Sequence, residues 1–97
     1  MRTEIPLLKF DTDMQFHQAL GDKAYEIHCR TLYAIDHAFN TDETEVTIAY
    51  LNDKDTLLGC PKDVWIDNLH MSIEYFIEIE DYEKCQEVKQ LIDKLQA

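Results

Sequence analysis

Two apolar stripes at helical spacing, separated by a short polar break at Glu80-Asp81, constrain this chain more than any other feature. Ile66, Leu69, His70, Ile73, Phe76 and Ile77 recur in i, i+3, i+4 order through about Glu80. Asp81 then offers an N-cap, and Cys85, Val88, Leu91, Ile92 and Leu95 resume the same spacing. So short a connection makes the second helix fold back on the first, each burying its stripe against the other. The expectation is an antiparallel helical hairpin over residues 66–96, with one face left over for a partner. Val64 and Trp65 anchor its beginning, and Pro61, with Asp63 close behind, suits a first helical turn.

The preceding two thirds read as a mixed unit. Residues 5–10 are mostly apolar, and Pro6 disfavours helix there, so an extended arm or edge strand is expected. Thr12 stands three residues before Gln15, a capping-box spacing, with Asp11 and Asp13 at the positive end of the helix dipole. Over residues 13–39, Phe16, Leu20, Ala24, Ile27, Thr31, Ala34, Ile35 and Ala38 lie along one side, widened by Tyr25, Cys29, Leu32 and Phe39. One long helix, kinked or broken near Gly21, is the expectation, since glycine there costs about 1 kcal/mol relative to alanine; the alternative divides the segment, with Asp22 capping a second helix. Asn40-Thr41-Asp42-Glu43 ends it.

The period then changes. Val46, Ile48 and Tyr50 alternate with Glu45, Thr47 and Ala49, the repeat of a half-buried strand. Asn52-Asp53-Lys54-Asp55 is a polar turn, and residues 56–60 return as a second strand. A lone hairpin is marginal in water, so it must lie on the helices or pair with the N-terminal arm. The fold class is therefore mainly α (α+β): a long N-terminal helix, a small β-hairpin and a C-terminal antiparallel helical hairpin, with residues 1–97 as one domain.

Charge and cysteine content limit the function classes. A net charge of −11 repels nucleic-acid phosphates, so direct nucleic-acid binding is not expected, whereas a basic protein surface fits. Cys29, Cys60 and Cys85 are odd in number and far apart, and no signal-like apolar run precedes them. Reduced thiols and a cytoplasmic location are expected, without a membrane span.

Few residues promise chemistry. His17, His28, His37 and His70 could join the cysteines around a metal, but zinc wants closely spaced ligands that converge, and adjacent His28-Cys29 point about 100° apart on a helix. Cys60 and Cys85 lie near helix starts, where a dipole lowers thiol pKa, yet both equally suit small buried positions. No cofactor, metal or catalytic residue is expected.

One resemblance stands out. Tyr82-Glu83-Lys84, Glu87-Val88-Lys89 and Ile92-x-x-Leu95 resemble the second helix of the UVR motif, which opens on an aromatic, Glu and a basic residue and closes on Ile-x-x-Leu. Residues 66–79 would supply the first helix, with Leu69, Ile73 and Phe76 at the apolar positions. Cys85-Gln86 departs from the small-residue pair usual in the motif, and Trp65, Tyr75 and Phe76 make the first helix unusually aromatic. UVR motifs are helical hairpins of UvrB, UvrC, Clp-type chaperones and McsA regulators. The resemblance thus implies protein–protein contact and no chemistry.

The expected function is that of a small acidic adaptor or regulator docking a larger protein through the hairpin. Trp65, Tyr75 and Tyr82 serve as exposed aromatic anchors, and Glu78, Glu80, Asp81 and Glu83 as a negative frame. The same face offers a route to homo-oligomers. The alternative is an acidic, possibly phage-encoded inhibitor that mimics nucleic acid and blocks a nucleic-acid-binding protein.

Overall fold

The computed structural model describes residues 4–53 and 55–97; residues 1–3 and Lys54, which the turn reading included, lie outside the described residues. In chain order the elements are β1 (Leu7–Leu8), α1 (Asp13–Asp22), α2 (Ala24–Thr41), β2 (Glu45–Leu51), β3 (Leu57–Pro61), a 3-10 turn (Lys62–Val64), α3 (Trp65–Glu78) and α4 (Tyr82–Gln96). This is a mainly helical chain with a small sheet, as its periodicities imply.

Local chemistry starts each piece. The Gln15 amide donates to Thr12 Oγ1 at 3.2 Å while Gln15 Oε1 accepts from the Asp11 amide at 2.7 Å, so the cap at α1 is reciprocal, displaced by one residue from the usual box. The helix is divided near Gly21 as expected, at Lys23, whose φ of −107° and ψ of 15° separate α1 from α2; no side chain caps the second helix, Asp22 included. Lys23 serves both helices, its N–H donating to Ala19 O at the end of α1 and its carbonyl accepting from Ile27 N at the start of α2.

The sheet has the order β1-β2-β3. The N-terminal arm does pair with the hairpin: β1 runs parallel to β2, with Leu7 opposite Tyr50 and Leu8 opposite Leu51. The Asn52 side chain accepts from the Phe10 amide at 2.8 Å and its own amide donates to Leu8 O at 2.7 Å, fastening the arm to the hairpin turn. In that turn Asp53 Oδ1 accepts from the amides of Asp55 and Thr56. β2 is antiparallel to β3, but the strict alternation expected of β2 fails. The register shifts between Thr47 and Ala49, and the adjacent Ile48 and Ala49 are both buried, Ile48 within the main core cluster and Ala49 outside it.

α2 lies at the centre, packed on β2 on one side and on α3 and α4 on the other. The core joins Leu32, Ile35 and Ala38 of α2 to Val46 and Ile48 of β2, with Leu69 and Phe76 of α3 and Val88 and Leu91 of α4 closing it. Each of the larger of these side chains, Ala38 excepted, contributes roughly 1.5–3 kcal/mol on leaving water. Trp65 belongs here too, which corrects its assignment as an exposed anchor. It is 1% exposed, and its indole N–H donates to the Cys60 carbonyl at 2.8 Å. The ring starts α3 on the edge of β3, so the tryptophan joins sheet to hairpin and has no surface to offer a partner.

Candidate functional site

The α3–α4 connection carries most of the residues expected to face a partner. α3 closes in a Schellman arrangement, with the Asp81 amide donating to Phe76 O at 2.8 Å and the Glu80 amide to Ile77 O at 3.0 Å. That geometry needs one left-handed residue, and Glu80 takes it at φ 60°. A side chain in this conformation costs roughly 1–2 kcal/mol, a cost glycine escapes. Asp81 then caps α4, its Oδ1 accepting from the Lys84 amide at 3.2 Å. The Asp81 carboxylate is therefore committed to the turn.

Around this turn the surface is apolar at its centre and acidic around it. Ile77, Ile79 and Tyr82 are 48, 42 and 62% exposed. Glu78, Glu80 and Glu83 are exposed beside them. Among the described residues none of these three carboxylates pairs with a cation. The nearby ammonium, Lys84, is engaged elsewhere. It lies 3.5 Å from Glu87 and 5.5 Å from the centre of the Tyr33 ring. A hydrogen bond to Tyr33 leads the interactions that hold it above the ordinary lysine value. The acidic frame thus has no ion-pair partner among the described residues.

Tyr75 occupies a different place from the one expected. It is half-buried, with its ring stacked on His28 at 4.5 Å and 19° between planes, and set edge-on to Phe76 at 5.5 Å. His28 Nδ1 in turn lies 2.7 Å from the Ser72 hydroxyl, itself fully buried. Burial holds the His28 imidazole below its ordinary value, so it is neutral near pH 7. Tyr75 therefore links α2 to α3 and shows only part of its ring at the surface. Tyr25, at 6.3 Å from Phe76, extends the same aromatic group to the exposed side of α2. Sequence reasoning treated Tyr25 only as a widening of the core stripe. Its i, i+3 spacing to His28 was the available signal.

All three thiols are buried. Cys85 faces the Ile73 carbonyl at 3.7 Å, so a small residue lets α4 approach the α3 backbone closely. Cys60 is buried with Asn68 Nδ2 donating to its sulfur at 3.2 Å, and burial pushes its thiol above the ordinary value, as it does for Cys29. The His28–Ser72 pair has the distance of a base and a nucleophile, and Ser72 sits mid-helix, buried from bulk solvent. Among the described residues no three His, Cys, Asp or Glu side chains converge as a metal centre would require. No helix of the described residues is long and apolar enough to cross a membrane. No protein-family model, curated protein or solved structure matches this chain.

Proposed function

We propose that the chain is a protein-interaction module that docks a larger protein through the end of its C-terminal helical hairpin. The observation that carries this reading is the turn between α3 and α4: three exposed apolar side chains, Ile77, Ile79 and Tyr82, lie among carboxylates that no cation of the described residues neutralises. An aromatic centre with a charged surround is the composition of an anchored interface, and the sign selects a partner with a basic rim. Glu80 supports the reading independently. A carboxylate held in a left-handed conformation, where glycine would cost less, suggests that its charge serves something other than folding. The likeness of residues 82–95 to the UVR helix points the same way, since that motif mediates protein contacts.

The test is affinity purification with the wild-type chain and variants side by side. Tyr82→Ala should weaken capture of the specific partner about 30-fold, the effect of losing a strong interface anchor. Glu78→Lys with Glu83→Lys should abolish capture, and Glu80→Gly should weaken it while leaving the fold at least as stable. Capture unchanged by all of these contradicts the reading. The net charge of −11 favours one other outcome, mimicry of nucleic acid. In that case DNA or RNA displaces the partner and modest salt elutes it.

A further inference from the structure

Away from the hairpin turn, a cavity of about 300 Å³ lies where α1, the start of α2, the β2–β3 hairpin and α3 meet. It is about twice the ~150 Å³ space that accommodates benzene in a dry protein interior, and it falls at the lower bound of small-molecule pockets, roughly 300–1,000 Å³. A site of this size suits a bicyclic molecule. Its walls are aliphatic, from Leu20, Ile27, Ile48 and Leu58, with Met71 exposed at the rim.

Polar groups enter it, but none carries charge near neutral pH. His28 and Ser72 are on its wall and already satisfy each other through their 2.7 Å contact. Asn68 is different. Its Nδ2 donates both to Cys60 Sγ at 3.2 Å and to the Val64 carbonyl at 3.0 Å, which fixes the amide and leaves Oδ1 without a donor among the described residues. Asn68 lines the cavity, so an amide acceptor fixed there rewards a ligand that brings one N–H or O–H, and a lining without a cation among the described residues rejects an anion that would have to shed its water.

We propose that this cavity is a binding site for a neutral, largely apolar molecule of bicyclic size whose single N–H or O–H donor is received by Asn68 Oδ1. The site is separate from the docking surface, so either can fail without the other.

The test uses the full chain, isotope-labelled, in two-dimensional NMR titrations with three probes. Indole has the size and the donor; benzothiophene has nearly the same shape without it; indole-3-acetate carries the charge. Indole should give saturable shifts at Leu20, Ile27, Ile48, Leu58 and Asn68. Benzothiophene should bind the same residues about tenfold more weakly, the loss of one well-made hydrogen bond. Indole-3-acetate should shift none of them. Asn68→Ala should remove the difference between the first two probes, and Ala24→Phe, which fills the cavity, should abolish both. A thermal transition on each variant confirms that it is folded, and the wild-type titrations decide the matter if Ala24→Phe does not fold. No saturable shift with indole up to its solubility overturns the site. Equal binding of indole and benzothiophene to the wild type overturns the role of Asn68. Binding of the anion as tight as that of indole overturns the ligand class.

Discussion

α1 and α4 are both amphipathic and both begin with a side-chain cap, yet they hold to the molecule in opposite ways. α4 buries Cys85, Val88, Leu91 and Ile92, whereas α1 buries no residue and leaves Met14 81% exposed. The difference lies in what each stripe meets. The α4 stripe meets α3 and α2 at close range, with Cys85 against the α3 backbone. The α1 stripe meets an incomplete wall: Leu20 of α1, with Ala24 at the start of α2, borders open volume instead of a packed partner. An apolar stripe thus specifies that a helix will lie down, but only a filled opposite surface makes it part of the core.

Variants can break this contrast, beginning with the hairpin side. Trp65→Ala should cost about 3–5 kcal/mol, because it empties a fully buried site and strips the Cys60 carbonyl of its donor. Urea denaturation would register most of the molecule's stability lost, given the roughly 5–15 kcal/mol typical of a domain. A shift in midpoint no larger than that of a surface substitution would contradict the buried role of the ring. Next, Cys85→Leu should cost about 1–3 kcal/mol by forcing α4 away from Ile73. The equivalent enlargement on α1, Ala19→Leu, should have little effect by the same assay.

Two smaller effects sharpen the comparison at its boundary. His28 is neutral in the folded state and its imidazole is held below its ordinary value by burial. The unfolded chain therefore binds the proton first as pH falls through about 6.5, the free-histidine value. Stability is full above that pH and declines as pH drops toward the folded value. Thermal melts from pH 7.5 to 5.5 should show a slope that His28→Gln reduces. The least effect is expected at Gly21, where an added Cβ meets nothing within 4 Å. Gly21→Ala should raise stability by about 0.5–1 kcal/mol. A loss there would mean that the helix needs glycine at that point.

The sequence made the hairpin legible because its signals agree. The helical period, the Asp81 cap and a connection too short for any other return all point to one arrangement. The sheet was legible for the same reason, down to the alternatives open to the arm. Trp65 was misread because a tryptophan at the first turn of an amphipathic helix fits either the core or the rim. What decides is a carbonyl at Cys60, placed by a strand whose register the period alone does not fix. Tyr75 was half-legible: its helical position was right, but its stacking on His28 depends on how α2 crosses α3. The break near Gly21 was legible, but nothing in the contacts around it explains why it falls on Lys23. The cavity was illegible, since a missing wall leaves no mark in a periodic stripe.

The most direct test of docking through the hairpin end is amide hydrogen exchange on the free chain and on the complex recovered by affinity purification. The account predicts that Val88 to Ile92 exchange slowly in both states, that α1 exchanges fast in both, and that residues 77–83 slow markedly only in the complex. A footprint that leaves residues 77–83 unchanged and falls on α1 or the sheet would contradict it.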